Sequence, residues 1–310
     1  MTILFASDGW EIYREPLKQA FDEFGINFKE VTTNQNLNKA DIEFIIYSPK
    51  SGLSDFSGFS NLKAVLNLWA GVDEIVSNST LECTLVRMID DGLTQGMNEW
   101  CMAHVLRHHL SIDHHIKHQD GLWRSDFCPP LASERCVGVL GLGELGSTVA
   151  KSLAQVGFKV VGWSQTEKML TDVRSYTGMP GLERVLKKSE LLILLLPLTP
   201  ATKFIINAYT LALLPKGAII INPGRGLLVN DYDLLNALNN EQLSHATLDV
   251  FDTEPLPTKH PYWLHPKVTV TPHIAAATRP KFSSKSIAKN IVRIRNGRKP
   301  KGLVEVAKLY

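Results

Sequence analysis

Apolar runs of about five residues, each bounded by polar or glycine-containing turns, recur along the chain and alternate with stretches of helical spacing. TILFAS (2–7), INFKEV (26–31), IEFIIY (42–47), KAVLNL (63–68) and LVRMI (85–89) are predicted as strands, with a helix near 11–24 between the first two. Strands interleaved with helices predict a mostly parallel sheet. The stretch 96–119, GMNEWCMAHVLRHHLSIDHHIKHQ, has no proline and carries apolar residues three and four apart, which predicts one long helix bridging two domains. A second series starts at RCVGVLGLGELG (135–146). Its predicted strands are CVGVLG, KVVGW, LLILLL, AIIIN, ATLDVF and KVTVTP, with helices near 146–156, 181–188, 207–213 and 231–240. Six strands with intervening helices make a complete doubly wound dinucleotide domain. The stretch 278–297 is helical again and precedes a short tail. Packed back on the first series, it makes that domain discontinuous.

Composition narrows the picture. A chain of 310 residues suits two domains, and 44% hydrophobic with 21% charged residues is the balance of a soluble globular protein. A formal net charge of +2 gives no electrostatic reason to expect nucleic acid. Cys83, Cys101, Cys128 and Cys136 form no C-x-x-C pair and read as reduced thiols. MTILFASDGW is a strand and a turn rather than a signal peptide. LLILLLPL (191–198) falls short of the roughly 20 residues of a membrane helix and contains Pro197. The expectation is a cytoplasmic protein with no membrane contact. His104/His108 and His114/His118 have the i, i+4 spacing of helical metal ligands, but no H-E-x-x-H accompanies them, so no metal is expected. The basic runs RPKFSSKS (279–286) and RIRNGRKPK (293–301) lack interleaved aromatics and read as solvated helix ends.

VGVLGLGELGSTVAKSLAQVG places Gly141, Gly143 and Gly146 after a strand and at the opening of a helix. Such glycines permit a tight turn, close approach of a pyrophosphate and close helix–strand packing, while the helix N-terminus offers free amides. An NAD-binding unit then ends its second strand with an acid for the ribose. Here VVGWSQTEK (160–168) has Ser164 at that position, 18 residues past Gly146. Without the acid, nothing repels a 2′-phosphate. Ser164 and Thr166 offer hydroxyls and Lys168 a charge, while Gln165 supplies none. NADP is therefore expected as the preferred cofactor, with NAD second.

Three further segments put polar residues after strand ends, where ligands of open α/β sheets bind. AIIINPGRGLLV sets Arg225 between glycines, suited to hold a carboxylate by two charge-assisted bonds. ATLDVFDTEPLP ends with Asp249 and then presents Glu254, and VTVTPHIAAATRP ends with His273. A carboxylate beside a histidine holds the imidazole protonated, ready to donate to a carbonyl.

GLGELG, LLPLTPAT, LLPKGAIIINPGRGLLV, LDVFDTEPLP and VTVTPHIAAATRP, in that order, resemble the D-isomer-specific 2-hydroxyacid dehydrogenases over nearly the whole chain. LNLWAGVD, GMNEWCMAHVL and GWSQTEK are most similar to the glyoxylate/hydroxypyruvate reductase A branch, which commonly carries Arg where this chain has Gln165. The resemblance implies an α/β protein of two doubly wound domains. A Rossmann dinucleotide-binding domain (97–275) is inserted into a discontinuous flavodoxin-like substrate domain (1–96 plus 276–310). It implies a homodimer built through the helix near 96–119 and its surroundings. It assigns Arg225 to the substrate, His273 to proton donation and Glu254 to orienting His273. Asp249 would lie near the nicotinamide carboxamide. Glu144 and Leu145, Pro197 and Thr202, and Asn222, Pro223 and Gly224 fall in the matching motifs as further cofactor contacts. Trp69, Ala70 and Gly71 match the loop whose amides receive the substrate carboxylate, and Trp69 replaces a common Gly, which narrows the pocket toward small 2-oxo acids. The implied activity is NAD(P)H-dependent reduction of glyoxylate and hydroxypyruvate. A D-lactate or phosphoglycerate dehydrogenase, or an NAD(H)-sensing corepressor-like binding protein, are the alternatives.

Overall fold

A computed structural model of the chain describes residues 1–32, 38–125 and 128–306. The chain divides into two compact units, Met1–Leu93 with the segment from Thr278 onward, and Thr94–Ala277. The expected divisions lay at 96/97 and 275/276, and residues 307–310 of the expected substrate domain lie outside the described residues.

In the first unit, β1 (Thr2–Ala6), α1 (Trp10–Glu23), β2 (Lys29–Thr32), β3 (Ile42–Tyr47), β4 (Ala64–Asn67) and β5 (Thr84–Val86) follow the predicted runs. The sheet is parallel throughout, in the order β2-β1-β3-β4-β5. That is the flavodoxin-like order of a doubly wound sheet. Both faces are covered, so the strands read as continuous apolar runs rather than alternating ones. The last helix of the chain, α8 (Pro280–Arg295), packs against α1 in this same unit.

The second unit holds β6 (Cys136–Leu140), α4 (Glu144–Val156), β7 (Lys159–Trp163), β8 (Val173–Tyr176), α5 (Gly178–Leu186), β9 (Leu191–Leu194), α6 (Ala208–Ala212), β10 (Ala218–Asn222), α7 (Asp231–Asn239), β11 (Leu243–Leu248) and β12 (Val268–Val270). Its seven strands are parallel, ordered β12-β11-β10-β9-β6-β7-β8. The strand order reverses between β6 and β9, so their C-terminal ends mark the ligand crevice of this architecture. β9, LLIL, is fully buried and separates two apolar layers.

Two expectations are corrected. The single helix over 96–119 is two helices, α2 (Asp91–His109) and α3 (Ile112–Lys117), broken where Ser111 takes a left-handed backbone at φ 52°. α2 also starts earlier, because Asp90 Oδ1 accepts the Leu93 amide at 2.8 Å and caps the first turn. The dinucleotide sheet has seven strands, not six: VRSY forms β8, an edge strand paired to β7. Among the described residues, no helix is long and apolar enough to cross a membrane.

Candidate active site

β6 runs buried to Leu140, and Gly141 turns the chain at φ 101°. A Cβ on Gly141 would collide with the Leu195 carbonyl, and one on Gly146 with the Gly141 carbonyl, so only glycine lets strand, turn and helix close this tightly. At Gly143 a Cβ would meet nothing within 4 Å. Gly143 caps α4 with no side chain, which leaves the first-turn amides and the positive end of the helix dipole to an anion. Close-packed glycines beneath an open, uncapped helix start fit the pyrophosphate of a dinucleotide. Glu144 is exposed at this end, and Leu145 packs half-buried on the core. In the loop after β9, Thr202 Oγ1 donates to the Pro197 carbonyl at 2.7 Å and accepts from the Thr199 amide at 2.8 Å, so it braces the loop at the sheet's switch point.

At the end of β7, Ser164 is buried and its hydroxyl donates to the Thr166 carbonyl at 2.7 Å. The hydroxyl proton thus closes the turn, and the side chain has only acceptor capacity left for a ligand. Gln165, Thr166, Glu167 and Lys168 are exposed in the same loop.

Arg225 is set by the turn after β10. Asn222 is buried there; its Oδ1 accepts the Gly224 amide at 3.1 Å and its Nδ2 donates to the Arg225 carbonyl at 2.9 Å. Pro223 and Gly224 are buried within that turn, and Arg225 stays half-buried with Nη1 donating to the Gly224 carbonyl at 2.7 Å. Gly226 lies so close to the backbone of Phe251 and Asp252 that any side chain would overlap them. The Arg225 turn is thereby held against the loop after β11.

That loop carries Glu254, whose Oε1 accepts the Phe251 amide at 2.9 Å and whose Oε2 lies 2.7 Å from His273 Nδ1. Burial works against ionisation of Glu254. The His273 hydrogen bond, the Phe251 amide and the charges of His273 and Arg225 outweigh it and hold the carboxyl below its ordinary 4.5. Arg225, Glu254 and His273 therefore form one electrostatically connected group, with His273 Nε2 turned away from Glu254.

His273 itself sits in the left-handed region at φ 55°, a conformation that costs a non-glycine residue about 1–2 kcal/mol. Asp249, fully buried, offsets that cost. Its Oδ1 accepts from Thr271 Oγ1 at 2.5 Å and the Ile274 amide at 2.9 Å, its Oδ2 from the Ala275 amide at 2.8 Å, and its carbonyl from the His273 amide at 2.8 Å. Both carboxylate oxygens thus face the 271–275 loop. Thr271 is a partner of Asp249 that no linear motif shows, because the loop a buried carboxylate binds is set by the packed backbone.

Trp69, Ala70 and Gly71 lie in the first unit, in the loop after β4, half-buried. The Lys50 ammonium stands 6.0 Å from the centre of the Trp69 ring.

Among the described residues, no group of three His, Cys, Asp or Glu side chains is arranged to hold a metal. Instead the α2 histidines are packing residues. His108 Nε2 lies 2.8 Å from Thr247 Oγ1, its ring 4.8 Å from His245, and His245 Nε2 2.8 Å from Thr269 Oγ1. Burial, with the neighbouring cations and histidines, pushes His104 and His245 down to about 4 and His108 to about 3.

Residues 100–275 match the family described as D-isomer specific 2-hydroxyacid dehydrogenase, NAD binding domain. The glyoxylate/hydroxypyruvate reductase A of Yersinia enterocolitica is 42% identical over 257 residues, spanning 80% of this chain and 82% of that one. The protein of the same name from Serratia proteamaculans is 42% identical over 253 residues, 79% and 80% of the two chains. Among solved structures, a D-isomer specific 2-hydroxyacid dehydrogenase from Xanthobacter autotrophicus, in complex with NADPH and MES, superposes with a TM-score of 0.92 at 35% identity, over 100% and 99% of the chains. The NADPH-dependent glyoxylate/hydroxypyruvate reductase of Sinorhizobium meliloti, with NADP and sulfate, gives 0.89 at 30% identity, again over 100% and 99%.

Proposed function

We propose a reaction on the premise that the chain belongs to the D-isomer-specific 2-hydroxyacid dehydrogenase family: NADPH-dependent reduction of small 2-oxo acids, glyoxylate to glycolate and hydroxypyruvate to D-glycerate. The protein is an oxidoreductase acting on CH–OH donors, with NADP preferred over NAD. The single observation that carries this reading is the connected group Arg225–Glu254–His273 at the strand ends of a dinucleotide unit whose helix start fits a pyrophosphate.

A nicotinamide cofactor, its pyrophosphate held at the α4 N-terminus, would supply the hydride to the carbonyl carbon. Arg225 pairs with the substrate carboxylate and polarises the carbonyl oxygen. His273 gives its Nε2 proton to that oxygen as charge develops, and Glu254 fixes the ring through Nδ1. The amides near Ala70 and Gly71 are further donors suited to a carboxylate, and Trp69 limits substrate size. The 2-oxo acid is thus the small-molecule partner, and neither nucleic acid nor a membrane enters this reading.

The chain works as a cytoplasmic homodimer, joined through α2 and its surroundings. Leu110, Ile112, Ile116, Leu122, Trp123 and Leu131 are exposed in the stretch that follows α2 and includes α3, Trp123 at 94%, and exposed large apolar side chains of this kind support an interface. Light scattering in solution checks the assembly.

Loss of NADPH absorbance on adding glyoxylate or hydroxypyruvate, run beside NADH, tests the reaction. Turnover that favours NADPH and falls at least 100-fold in Arg225→Ala and His273→Ala supports the assignment. Tight NADH binding without turnover favours a sensor instead, and near-normal turnover in either variant removes that residue from the mechanism.

A further inference from the structure

β4 is the sequence AVLN, every residue buried, and it ends in Asn67 at 1% exposure. An apolar residue is what the pattern of a doubly covered parallel strand calls for at that place. A buried amide costs stability unless its groups are paired, and here Oδ1 has no hydrogen-bond partner. The Nδ2 group, by contrast, makes two bonds, both to the loop that follows. It donates to the Trp69 carbonyl at 3.0 Å and to the Gly71 carbonyl at 2.8 Å. Since both acceptors are carbonyls, the nitrogen of the amide is fixed at that position.

Two further donors act on the same loop from within the first unit. The Met88 amide also donates to the Trp69 carbonyl, at 2.9 Å, and Thr278 Oγ1 donates to the Leu68 carbonyl, also at 2.9 Å. The carbonyls of Leu68, Trp69 and Gly71 are all drawn into the protein. The amides of Trp69, Ala70 and Gly71 donate to no acceptor among the described residues. A loop whose carbonyls are tied inward while consecutive amides stay free is an anion-binding arrangement.

We infer that Asn67 is a positioning residue for the 2-oxo acid: by holding the Trp69 and Gly71 carbonyls, it keeps the Ala70 and Gly71 amides aimed at the substrate carboxylate. This rests on the reaction proposed above and extends it to a residue that never touches the substrate. Its effect belongs to binding of the oxo acid and not to hydride or proton transfer. It acts on KM for that substrate and on the affinity of carboxylate inhibitors, and leaves KM for NADPH alone.

The test uses the full-length enzyme with Asn67→Leu, which keeps the volume and removes the donors, and Asn67→Asp, which keeps the shape and turns acceptors toward the carbonyls. KM for glyoxylate, KM for NADPH, kcat and the competitive inhibition constant of oxalate are measured for each. The expected result is a rise of about tenfold in KM for glyoxylate and in the oxalate constant for Asn67→Leu. A larger rise follows in Asn67→Asp, with KM for NADPH and kcat at saturating glyoxylate within about twofold of wild type. Unchanged KM and oxalate binding in a folded variant overturn the inference, and so does an equal loss in kcat and in both KM values, which marks a general structural role. If one variant fails to fold, the other carries the comparison. Wild-type enzyme that turns over neither oxo acid overturns the proposed reaction, and the inference with it, and is told apart by that control alone.

Discussion

Glu254 Oε2 lies 2.7 Å from His273 Nδ1 although the two residues come from loops after different strands, and the second oxygen of Glu254 is held by the Phe251 amide. The carboxylate thus has a fixed position before it meets the imidazole, and the imidazole has one nitrogen assigned to it.

That geometry sets a pH dependence. The Glu254 carboxyl is held below its ordinary 4.5, so its contribution is complete above that value and fades as pH falls through the lowered one. Glu254→Gln lowers kcat about 100-fold near neutrality. The ratio of wild-type to variant kcat then shrinks as pH drops below 4.5, because a protonated Glu254 no longer offers a charge that Gln lacks. Paired pH–rate profiles check this; a ratio that stays constant into the acid range contradicts it.

Asp249 holds the 271–275 loop with both oxygens. Asp249→Asn puts an NH2 group against N–H or O–H donors and costs about 2–3 kcal/mol of stability, read as a lower thermal midpoint, together with reduced kcat because His273 loses its support. Thr271→Val, which removes one of the three donors, costs about 1 kcal/mol and retains more activity. Equal stability of Asp249→Asn and wild type would argue against this role.

Gln165 stands exposed in the loop where a 2′-phosphate is expected. Gln165→Arg tightens NADPH about tenfold through a charge-assisted pair and NADH by less than twofold. Titration of both cofactors by fluorescence decides it, and an equal gain for both removes Gln165 from cofactor selection.

His104, His108 and His245 are held neutral, at about 4, 3 and 4, against an ordinary 6.5. The unfolded chain takes up protons below 6.5 where the folded one does not. Stability is therefore full above 6.5 and lost as pH falls toward those lowered values, at about 1.4 kcal/mol per pH unit for each histidine. Urea unfolding between pH 7 and 4 measures the slope, and His108→Gln lowers it.

Trp69 supplies the bulk expected to limit substrate size. Trp69→Gly raises kcat/KM for 2-oxo acids with larger side chains relative to glyoxylate by about tenfold. Steady-state assays across a series of increasing size test this, and a preference that does not move assigns the limit to another residue.

The apolar runs, the glycine spacing and the strand-end motifs were enough to determine two parallel sheets and a glycine turn opening a helix, and to single out Arg225, Glu254 and His273, which the fold brings together. Each of these is local: a buried strand needs an apolar run, and a tight phosphate turn needs glycine at fixed offsets. Other features depended on groups far apart in sequence. VRSY is too short and polar to declare itself a strand, and it becomes β8 only because β7 offers an edge. The predicted long helix breaks at Ser111, where Arg107 Nε reaches Asp113 Oδ1 at 2.8 Å across the bend. Asp249 and Asn67 are single polar residues at buried strand ends, and periodicity marks both as exceptions without showing what they hold. Their partners lie in loops that only the packed backbone brings within hydrogen-bonding distance. That is why the chemical groups of the proposed site stand out in the sequence and the residues that support them do not.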